Sequence, residues 1–311
     1  MPDIVISEFM DEAAIEAELA GFDVHYDPAL VDRRDELETV VRECRAIIVR
    51  NRTQVDRRLL DAAPTLRAVG RLGVGLDNID VQACEARGVA VFPATGANDL
   101  AVAEYVIAAA MLLLRAAWFQ NDAMIAGTWP RTASIGRETS GKRIGLVGFG
   151  SIARQTAVRA AALGMHVAAY DPFLAPEDSA WQLAERQSLA EIAGRSDVVS
   201  LHVPLTDETR HLIDADFIGR MRRGAVLINA ARGGVVDEDA LVASLRTGQL
   251  GGAALDVYET EPLDAAAGAR FAGVPNLVLT PHIAGVTEES NVRVSRVTAA
   301  NVAAALGRPG T

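Results

Sequence analysis

The sequence is poor in cysteine and lysine. Its 311 residues include two cysteines, Cys44 and Cys84, which lack both the close spacing of metal ligands and the pattern of a disulfide framework. No metal site is therefore predicted, and we expect the protein to work in a reducing compartment, the cytoplasm. Lys142 is the single lysine of the sequence, so it is the one candidate for a catalytic lysine.

Positive charge is also in short supply, and no apolar run is long. The net charge of −11 argues against nucleic acid or an anionic membrane surface as the main partner, because both would be repelled. The longest apolar run, residues 105–114, lies between Glu104 and Arg115 and is too short to cross a bilayer. Acidic residues near the start predict that no secretory signal opens the chain: Asp3, Glu8, Asp11 and Glu12.

Short β-branched runs alternate with helical stretches along most of the chain. Four such runs lie between residues 3 and 93, and six more between residues 143 and 281. This alternation is typical of parallel strands joined by crossover helices, so we expect an α/β protein with two doubly wound parallel-sheet domains. Helices are predicted from Leu100 to Phe119 and from Glu288 to Leu306. The polar, glycine-bearing stretch at 120–142 indicates a connection or an arm.

A dinucleotide-binding fingerprint opens the second half of the chain. In "RIGLVGFGSIAR" a predicted strand is followed by Gly148, Gly150 and Ala153, and then by a predicted helix. The glycines permit a tight turn and let a pyrophosphate approach the helix N-terminus. Asp171 lies about 20 residues further on, where a carboxylate binds the ribose hydroxyls and repels a 2′-phosphate. The predicted cofactor is NAD rather than NADP.

Three polar residues come directly after predicted strands of this second half: Arg232 in "INAARGG", Glu261 in "LDVYETEP" and His282 in "LTPHIAG". Open α/β sheets bind ligands at this end of their strands. Hydride transfer from an alcohol needs a base, a group that orients the base, and a cation for the developing carbonyl. Each residue alone also has a plainer explanation, as a hydrogen-bonded structural histidine or as a solvated charge.

Two arginines follow a predicted strand of the first half. In "AIIVRNRT" Arg50 and Arg52 are separated by one residue, and in an extended chain their side chains would point the same way. Such a pair would form a two-pronged anion site. The alternative is that both arginines make ordinary surface ion pairs, which are common and weak.

The stretches "LVGFGSIAR", "NAARGGVVDEDAL", "LDVYETEPL" and "TPHIAGVT" resemble the NAD-dependent D-isomer-specific 2-hydroxyacid dehydrogenase family, and the resemblance covers essentially the whole chain. It implies a Rossmann NAD-binding domain, residues 99–285, inserted into a flavodoxin-like substrate domain, residues 1–98 plus 286–311. Ala153 replaces the third glycine of the fingerprint, which the fingerprint tolerates.

The resemblance also implies roles for individual residues. Arg232 would bind the substrate carboxylate and keto oxygen, and His282 would transfer the proton. Glu261 would pair with His282 and favour its protonated form. Backbone amides of Val74 and Gly75 would bind the substrate carboxylate. The implied cofactor-binding residues are Gly148, Gly150, Ser151, Ile152, Asp171, Pro204, Thr209, Ala230, Arg232, Asp256, His282 and Gly285.

Within the family, "ISEFMDEAA", "VRNRTQVDR" and "GTWPR" are most similar to members that act on three-carbon 2-hydroxy acids with a second anion, sulfonate or phosphate, on the third carbon. Arg50, and less strongly Arg52, would bind that distal anion. Arg131 aligns with a basic residue that reaches over from the partner subunit in phosphate-binding members, which predicts a homodimer joined by an arm near 118–142. The same fold, with the same Arg, Glu and His, also serves as an NAD-sensing corepressor that binds peptides. That binding function is the alternative.

Overall fold

The computed structural model describes residues 2–116 and 119–307. The chain divides into two compact units, each with its own parallel sheet: unit 1 is Met1–Asn98 with Val286–Thr311, and unit 2 is Asp99–Gly285. None of the helices in the described ranges is long and apolar enough to span a membrane. The predicted fold class, two parallel-sheet α/β domains, is confirmed.

Unit 1 is built on a five-stranded parallel sheet with the order β2-β1-β3-β4-β5, the flavodoxin-like order. The central strand β3 is wholly buried, as expected for a continuous apolar run covered by helices on both faces. An aspartate caps the first turn of α1, α3 and α4. The strands are β1 (Ile4–Ile6), β2 (Val24–Tyr26), β3 (Ala46–Val49), β4 (Ala68–Arg71) and β5 (Ala90–Pro93), and the helices are α1 (Glu12–Glu18), α2 (Arg34–Val40), α3 (Arg57–Ala62), α4 (Val81–Ala86) and α12 (Glu288–Leu306).

Helix α12 is the C-terminal part of unit 1 and packs on β4. A Cβ added at Gly70 would lie 2.7 Å from Val302 Cγ2, so the glycine permits the close approach of the helix to the strand. The Thr298 hydroxyl donates to the Arg71 carbonyl oxygen at 3.2 Å. The Ser295 hydroxyl accepts from the Asp11 N–H at 3.1 Å and so ties α12 to the start of α1.

Unit 2 is built on a seven-stranded parallel sheet with the order β8-β7-β6-β9-β10-β11-β12, which is the dinucleotide-binding order with one strand added. Helices cover both faces of the sheet. The strands are β6 (Arg143–Val147), β7 (His166–Tyr170), β8 (Glu185–Arg186), β9 (Val198–Leu201), β10 (Ala225–Asn229), β11 (Leu250–Leu255) and β12 (Leu277–Leu279), and the helices are α5 (Asp99–Arg115), α6 (Asn121–Ile125), α7 (Ser151–Ala162), α8 (Leu189–Arg195), α9 (Ala215–Arg220), α10 (Glu238–Thr247) and α11 (Ala265–Gly268).

Helix α5 ends at Arg115, four residues before the predicted end at Phe119. Ala116 has a positive φ of 52°, which a continuing helix does not allow. The chain returns past this helix end, and the Arg137 N–H donates to the Leu114 carbonyl oxygen at 2.8 Å. A tertiary contact therefore satisfies a helix-terminal carbonyl and ends the helix. Residues 117 and 118 of the predicted helix lie outside the described residues.

Candidate active site

The glycine loop between β6 and α7 has the geometry of a pyrophosphate site. Gly148 has a φ of +89°, and a Cβ there would lie 2.6 Å from the His202 carbonyl oxygen. A Cβ at Gly150 would meet no protein atom within 4 Å, so the space beside this residue is open to a ligand. Helix α7 begins at Ser151, and its N-terminal N–H groups suit an anion. The loop and helix therefore fit NAD.

Asp171, at the end of β7, is hydrogen-bonded to the same loop. Its Oδ2 accepts the Phe149 N–H at 2.9 Å, and its Oδ1 accepts the Phe173 N–H at 2.9 Å. The carboxylate thus fixes the glycine loop. It also lies at the position where the ribose of the cofactor is expected. The ribose contact of Asp171 stays a prediction.

The other predicted cofactor residues follow the carboxyl ends of strands in the same sheet. Because the sheet is parallel, these ends share one edge. The turn after β9 is closed by Thr209, whose hydroxyl donates to the Pro204 carbonyl oxygen at 2.7 Å and accepts the Thr206 N–H at 2.7 Å. Ser151 and Ile152 follow β6; Ala230 and Arg232 follow β10; Asp256 follows β11; His282 and Gly285 follow β12.

His282 and Glu261 form a directly hydrogen-bonded pair. The distance between His282 Nδ1 and Glu261 Oε2 is 2.7 Å, and Glu261 Oε1 accepts the Tyr258 N–H at 3.0 Å. Burial alone would raise the pKa of Glu261, but the hydrogen bonds from His282 and Tyr258 outweigh it and hold the pKa below its ordinary value. Since Nδ1 is bound to the carboxylate, Nε2 of His282 is left to exchange a proton with a substrate.

Asp256 holds the turn that carries His282. Its side chain is 1% exposed; Oδ1 accepts from the Thr280 hydroxyl at 2.6 Å and from the Ile283 N–H at 2.8 Å, and Oδ2 accepts the Ala284 N–H at 2.8 Å. Its carbonyl oxygen accepts the His282 N–H at 2.9 Å. Asp256, a predicted cofactor-binding residue, therefore fixes the turn that carries His282. Its contact with the cofactor stays a prediction.

Two tyrosines, which the sequence did not single out, complete the support of this turn. The Tyr258 hydroxyl donates to the Thr280 carbonyl oxygen at 2.8 Å, and the Tyr105 hydroxyl lies 2.7 Å from the Thr280 hydroxyl. Burial raises the pKa of Tyr258 to about 12. The phenol therefore stays protonated and able to donate. The one sequence signal for Tyr258 is its position in "DVYETEP", beside Glu261.

Arg232 lies in a loop whose backbone is fixed by Asn229. The Asn229 amide donates to the Arg232 carbonyl oxygen at 2.8 Å and accepts the Ala231 N–H at 3.1 Å. At the next residue, Gly233, any Cβ would overlap the Tyr258 carbonyl, so only glycine lets the two loops touch. The charge of Arg232 also lowers the pKa of Glu261. The structure thus brings Arg232, Glu261 and His282 together, as the sequence predicted.

In unit 1, Arg50 is half-buried, and the nearby Glu8 carboxylate accepts its backbone N–H rather than its guanidinium. Its Nη2 donates to Asn291 Oδ1 at 2.7 Å, and its guanidinium carbon lies 5.9 Å from the centre of the Phe9 ring. Burial lowers the pKa of Arg50, although the charge of Glu8 opposes this. Across residues 2–116 and 119–307 no salt bridge involves this guanidinium. Arg50 is therefore a desolvated cation with a neutral partner.

The expectation that Arg50 and Arg52 project the same way is wrong. Arg52 is 56% exposed along its side chain and pairs with Asp32. The chain is not extended here, because the Glu8 carboxylate accepts backbone N–H groups on both sides of Arg52 and bends the loop. Arg52 thus matches the alternative, a surface ion pair.

The loop after β4 offers the unpaired amides that a carboxylate needs. Gly73 has a φ of +146° and its carbonyl oxygen accepts the Ala94 N–H at 2.9 Å, which fixes the start of the loop. Within the described ranges, neither the Val74 N–H nor the Gly75 N–H has an acceptor. The Val74 side chain is 37% exposed. These two amides remain the predicted contacts of the substrate carboxylate.

Arg131 lies on the arm of unit 2, in a turn where its N–H donates to the Trp129 carbonyl oxygen at 2.8 Å. Its side chain is exposed. In the part of the chain that the structure describes, no hydrogen bond or ion pair connects this side chain to Arg232, Glu261 or His282. Large apolar side chains on the same arm are exposed: Phe119, Met124, Ile125, Trp129 and Ile135.

Comparisons with known proteins agree with this site. The family model described as D-isomer specific 2-hydroxyacid dehydrogenase, NAD binding domain, matches residues 107–284. The (S)-sulfolactate dehydrogenase of Chromohalobacter salexigens is 55% identical over 308 residues, 99% of this chain and 99% of that protein. The D-3-phosphoglycerate dehydrogenase of Mycobacterium leprae is 40% identical over 273 residues, 88% of this chain and 51% of that protein. This chain thus spans about half the length of the mycobacterial relative.

A solved structure gives the same result. The crystal structure of D-lactate dehydrogenase from Aquifex aeolicus, complexed with NAD and lactic acid, aligns with a TM-score of 0.84 at 27% identity, covering 97% of this chain and 94% of that one. The same family is indicated by the fold, by the glycine fingerprint and by the cluster of Arg232, Glu261 and His282. The chain belongs to the D-isomer-specific 2-hydroxyacid dehydrogenase family and is an NAD-dependent oxidoreductase acting on the CH–OH group of a 2-hydroxy acid.

Proposed function

We propose that the enzyme interconverts (S)-3-sulfolactate and 3-sulfopyruvate. The observation that carries this proposal is Arg50, a half-buried guanidinium with no carboxylate partner in the described ranges of an acidic chain. A desolvated cation of this kind favours an anionic ligand. The 55% identity to the (S)-sulfolactate dehydrogenase of Chromohalobacter salexigens over 99% of the chain supports the same substrate.

The charge at Arg50 favours sulfonate over phosphate. A sulfonate carries one negative charge, whereas a phosphate monoester carries between about 1.5 and 2 at neutral pH. Arg52, the other cation of the loop, pairs with Asp32, so unit 1 offers one guanidinium to the distal anion at this loop. D-3-phosphoglycerate is the second candidate substrate, supported by the 40% identity to the Mycobacterium leprae enzyme.

Each residue of the site has a task in this reaction. The chemistry that bound NAD supplies is acceptance of a hydride from C2 of the hydroxy acid. His282 takes the hydroxyl proton at Nε2, and in the reverse direction its protonated form returns it to the keto oxygen. Glu261 keeps Nδ1 protonated and stabilises the imidazolium. Arg232 binds the carboxylate and the developing carbonyl, and the Val74 and Gly75 amides bind the carboxylate.

Replacing Arg50 by alanine is expected to raise KM for sulfolactate about 10- to 100-fold, because a charge-assisted hydrogen bond to the sulfonate is lost. The KM for NAD should stay within about twofold of wild type. Initial rates measure both values, with sulfolactate varied at saturating NAD and with NAD varied at saturating sulfolactate. Arg52→Ala is the matched control, since it removes an arginine of the same loop that pairs with Asp32; its KM for sulfolactate should hardly change.

Two outcomes would contradict the assignment. If Arg50→Ala and the wild type had equal kinetics, Arg50 would have a structural role and would not bind the substrate. A wild-type enzyme that turns over D-3-phosphoglycerate faster than sulfolactate at equal concentration would replace the proposed substrate. Negligible NADH oxidation with sulfopyruvate and with every other 2-keto acid would favour the corepressor-like binding function instead.

We also propose that the enzyme is a homodimer joined by the arm near residues 118–142, of which Trp118 lies outside the described residues. Ile125, Trp129 and Ile135 are 85%, 76% and 77% exposed on this arm. Exposed apolar groups of this density mark an interaction surface. Arg131, on the same arm, would then serve the substrate of the partner subunit.

The double variant Ile125→Glu with Trp129→Glu is expected to sediment as a monomer where the wild type sediments as a dimer, because two charges would have to be buried. Analytical ultracentrifugation measures this difference. Phe173→Glu, at a side chain that is 95% exposed and lies outside residues 118–142 of the sequence, is the control and should leave the dimer intact. A monomeric wild type would contradict the dimer.

We infer that the enzyme works in the cytoplasm. Cys44 and Cys84 are free and buried. Burial raises the pKa of Cys44 to about 12, so its thiol resists oxidation and needs no disulfide partner. Two unpaired cysteines in a chain of this size are ordinary in a reducing compartment.

A further inference from the structure

We propose that Glu8 is a positioning residue that fixes Arg50 and thereby sets the selectivity of the enzyme for substrates with a distal anion. This inference rests on the proposed function, because it assigns Glu8 a role through Arg50. Glu8 lies just after β1, in the stretch "ISEFMDEAA", and the sequence alone assigned Glu8 itself no part in the site. Its side chain is 4% exposed.

The Glu8 carboxylate is bound by four consecutive backbone N–H groups. Oε1 accepts from Arg50 at 2.8 Å and from Thr53 at 2.9 Å. Oε2 accepts from Asn51 at 3.4 Å and from Arg52 at 3.2 Å. Successive N–H groups that converge in this way form a concave anion-binding site. In this enzyme the carboxylate of the chain itself fills that site.

Filling the loop amides has a consequence for substrate binding. A substrate anion cannot use the amides of residues 50–53, because Glu8 already accepts from them. The distal anion is therefore left with the Arg50 side chain. Within the described residues, the hydrogen bonds of the Glu8 carboxylate join it to backbone N–H groups and not to the Arg50 guanidinium. The charge of Arg50 therefore stays available to a ligand, while Glu8 holds the loop that carries Arg50.

The neighbours of Glu8 hold the same loop. The Ser7 hydroxyl lies 3.0 Å from the Thr53 hydroxyl. Phe9 lies beneath the Arg50 guanidinium, at 5.9 Å from ring centre to guanidinium carbon. Three consecutive residues at the end of β1 thus contact the Arg50 loop through a hydroxyl, a carboxylate and an aromatic ring. Glu8 is central because it alone binds the backbone on both sides of Arg52.

The test compares two substrates in the Glu8→Ala enzyme. For sulfolactate, which has the distal anion, we expect kcat/KM to fall about 10- to 100-fold, mainly through KM, because loss of the acceptor frees the loop and misplaces Arg50. For D-lactate, which lacks the distal anion, kcat/KM should stay within about threefold of wild type. A merely structural role would lower the rate with both substrates equally, by reducing the folded fraction.

Asp56→Ala is the matched control. Asp56 is also a carboxylate of unit 1 that accepts a backbone N–H, from Leu59 at 2.9 Å, but it caps α3 and, within the described residues, makes no hydrogen bond to residues 50–53. Any loss that it causes should be the same for sulfolactate and D-lactate. If Glu8→Ala does not fold, Glu8→Gln replaces it, since glutamine keeps one acceptor oxygen and should show the same substrate-dependent loss in smaller measure.

Failure of this inference can be told from failure of the proposed function. If Arg50→Ala affects sulfolactate and D-lactate equally, the proposed role of Arg50 fails, and this inference with it. If Arg50→Ala discriminates but Glu8→Ala or Glu8→Gln does not, the inference about Glu8 alone is overturned. The double variant Glu8→Ala with Arg50→Ala should be no worse with sulfolactate than Arg50→Ala by more than about threefold, whereas additive losses would show that Glu8 acts independently.

Discussion

Replacing His282 by alanine is expected to lower kcat by about 10²- to 10⁴-fold, the range for loss of a general acid or base. The reason is geometric. The Nδ1 atom lies 2.7 Å from Glu261 Oε2, so the ring is oriented and its Nε2 is the atom left for the substrate proton. Among the residues described, Arg232 is the other cationic group brought to this pair, and an arginine does not exchange protons at neutral pH.

NADH binding should survive the same change. The Kd for NADH, measured by fluorescence titration, should stay within about threefold of wild type, because most of the predicted cofactor contacts, at the glycine loop and Asp171, do not involve His282. His166→Ala is the matched control, since His166 is exposed at the start of β7 and should show wild-type kcat. Unchanged turnover of His282→Ala would remove His282 from the mechanism.

The conservative change Arg232→Lys is expected to lower kcat/KM by about 10²- to 10³-fold, the cost of losing one preorganised donor at a developing oxyanion. Lysine keeps the positive charge but not the planar fork that binds a carboxylate and a neighbouring oxygen together. The backbone of Arg232 is fixed by Asn229 and by contact at Gly233, so the shorter reach and single nitrogen of lysine cannot be offset by loop movement.

Steady-state kinetics with sulfopyruvate and NADH measure this loss, and thermal unfolding should show a melting temperature close to wild type. Arg222→Lys serves as the control, because Arg222 makes an ion pair with Asp197 at the surface of the same unit. A loss of less than about threefold for Arg232→Lys would mean that a point charge suffices, and Arg232 would no longer be the bidentate ligand of the substrate.

The fold and the clustering of Arg232, Glu261 and His282 could be predicted because both depend on patterns that are local along the chain. Apolar runs alternate with helical stretches, and the glycine fingerprint has its strand before it and its helix after it. Arg232, Glu261 and His282 each follow a strand, and a parallel sheet gathers the carboxyl ends of its strands at one edge. No knowledge of long-range contacts was needed for either prediction.

The features that the sequence reading missed depend on contacts between distant residues. The shared direction of Arg50 and Arg52 assumed an extended chain, which the Glu8 carboxylate, more than 40 residues earlier, does not permit. Strand β2 has three half-buried residues and β8 has two exposed ones, so neither shows the apolar run of a buried strand. The role of Asp256 in holding the His282 turn became visible only from its three side-chain hydrogen bonds.

The insertion of unit 2 into unit 1 has a consequence for the order in which the chain can fold during its synthesis. Unit 1 needs α12, which packs on β4 at Gly70, yet all of Asp99–Gly285 is synthesised in between. At a ribosomal rate of about 5–20 residues per second, residues 1–98, which make up most of unit 1, wait roughly 10–40 s for the last helix of the unit. Unit 2 is continuous and can fold as soon as it emerges. The N-terminal sheet, first to leave the ribosome, is therefore the last to be covered, and the face on which α12 packs stays exposed until that helix has been made.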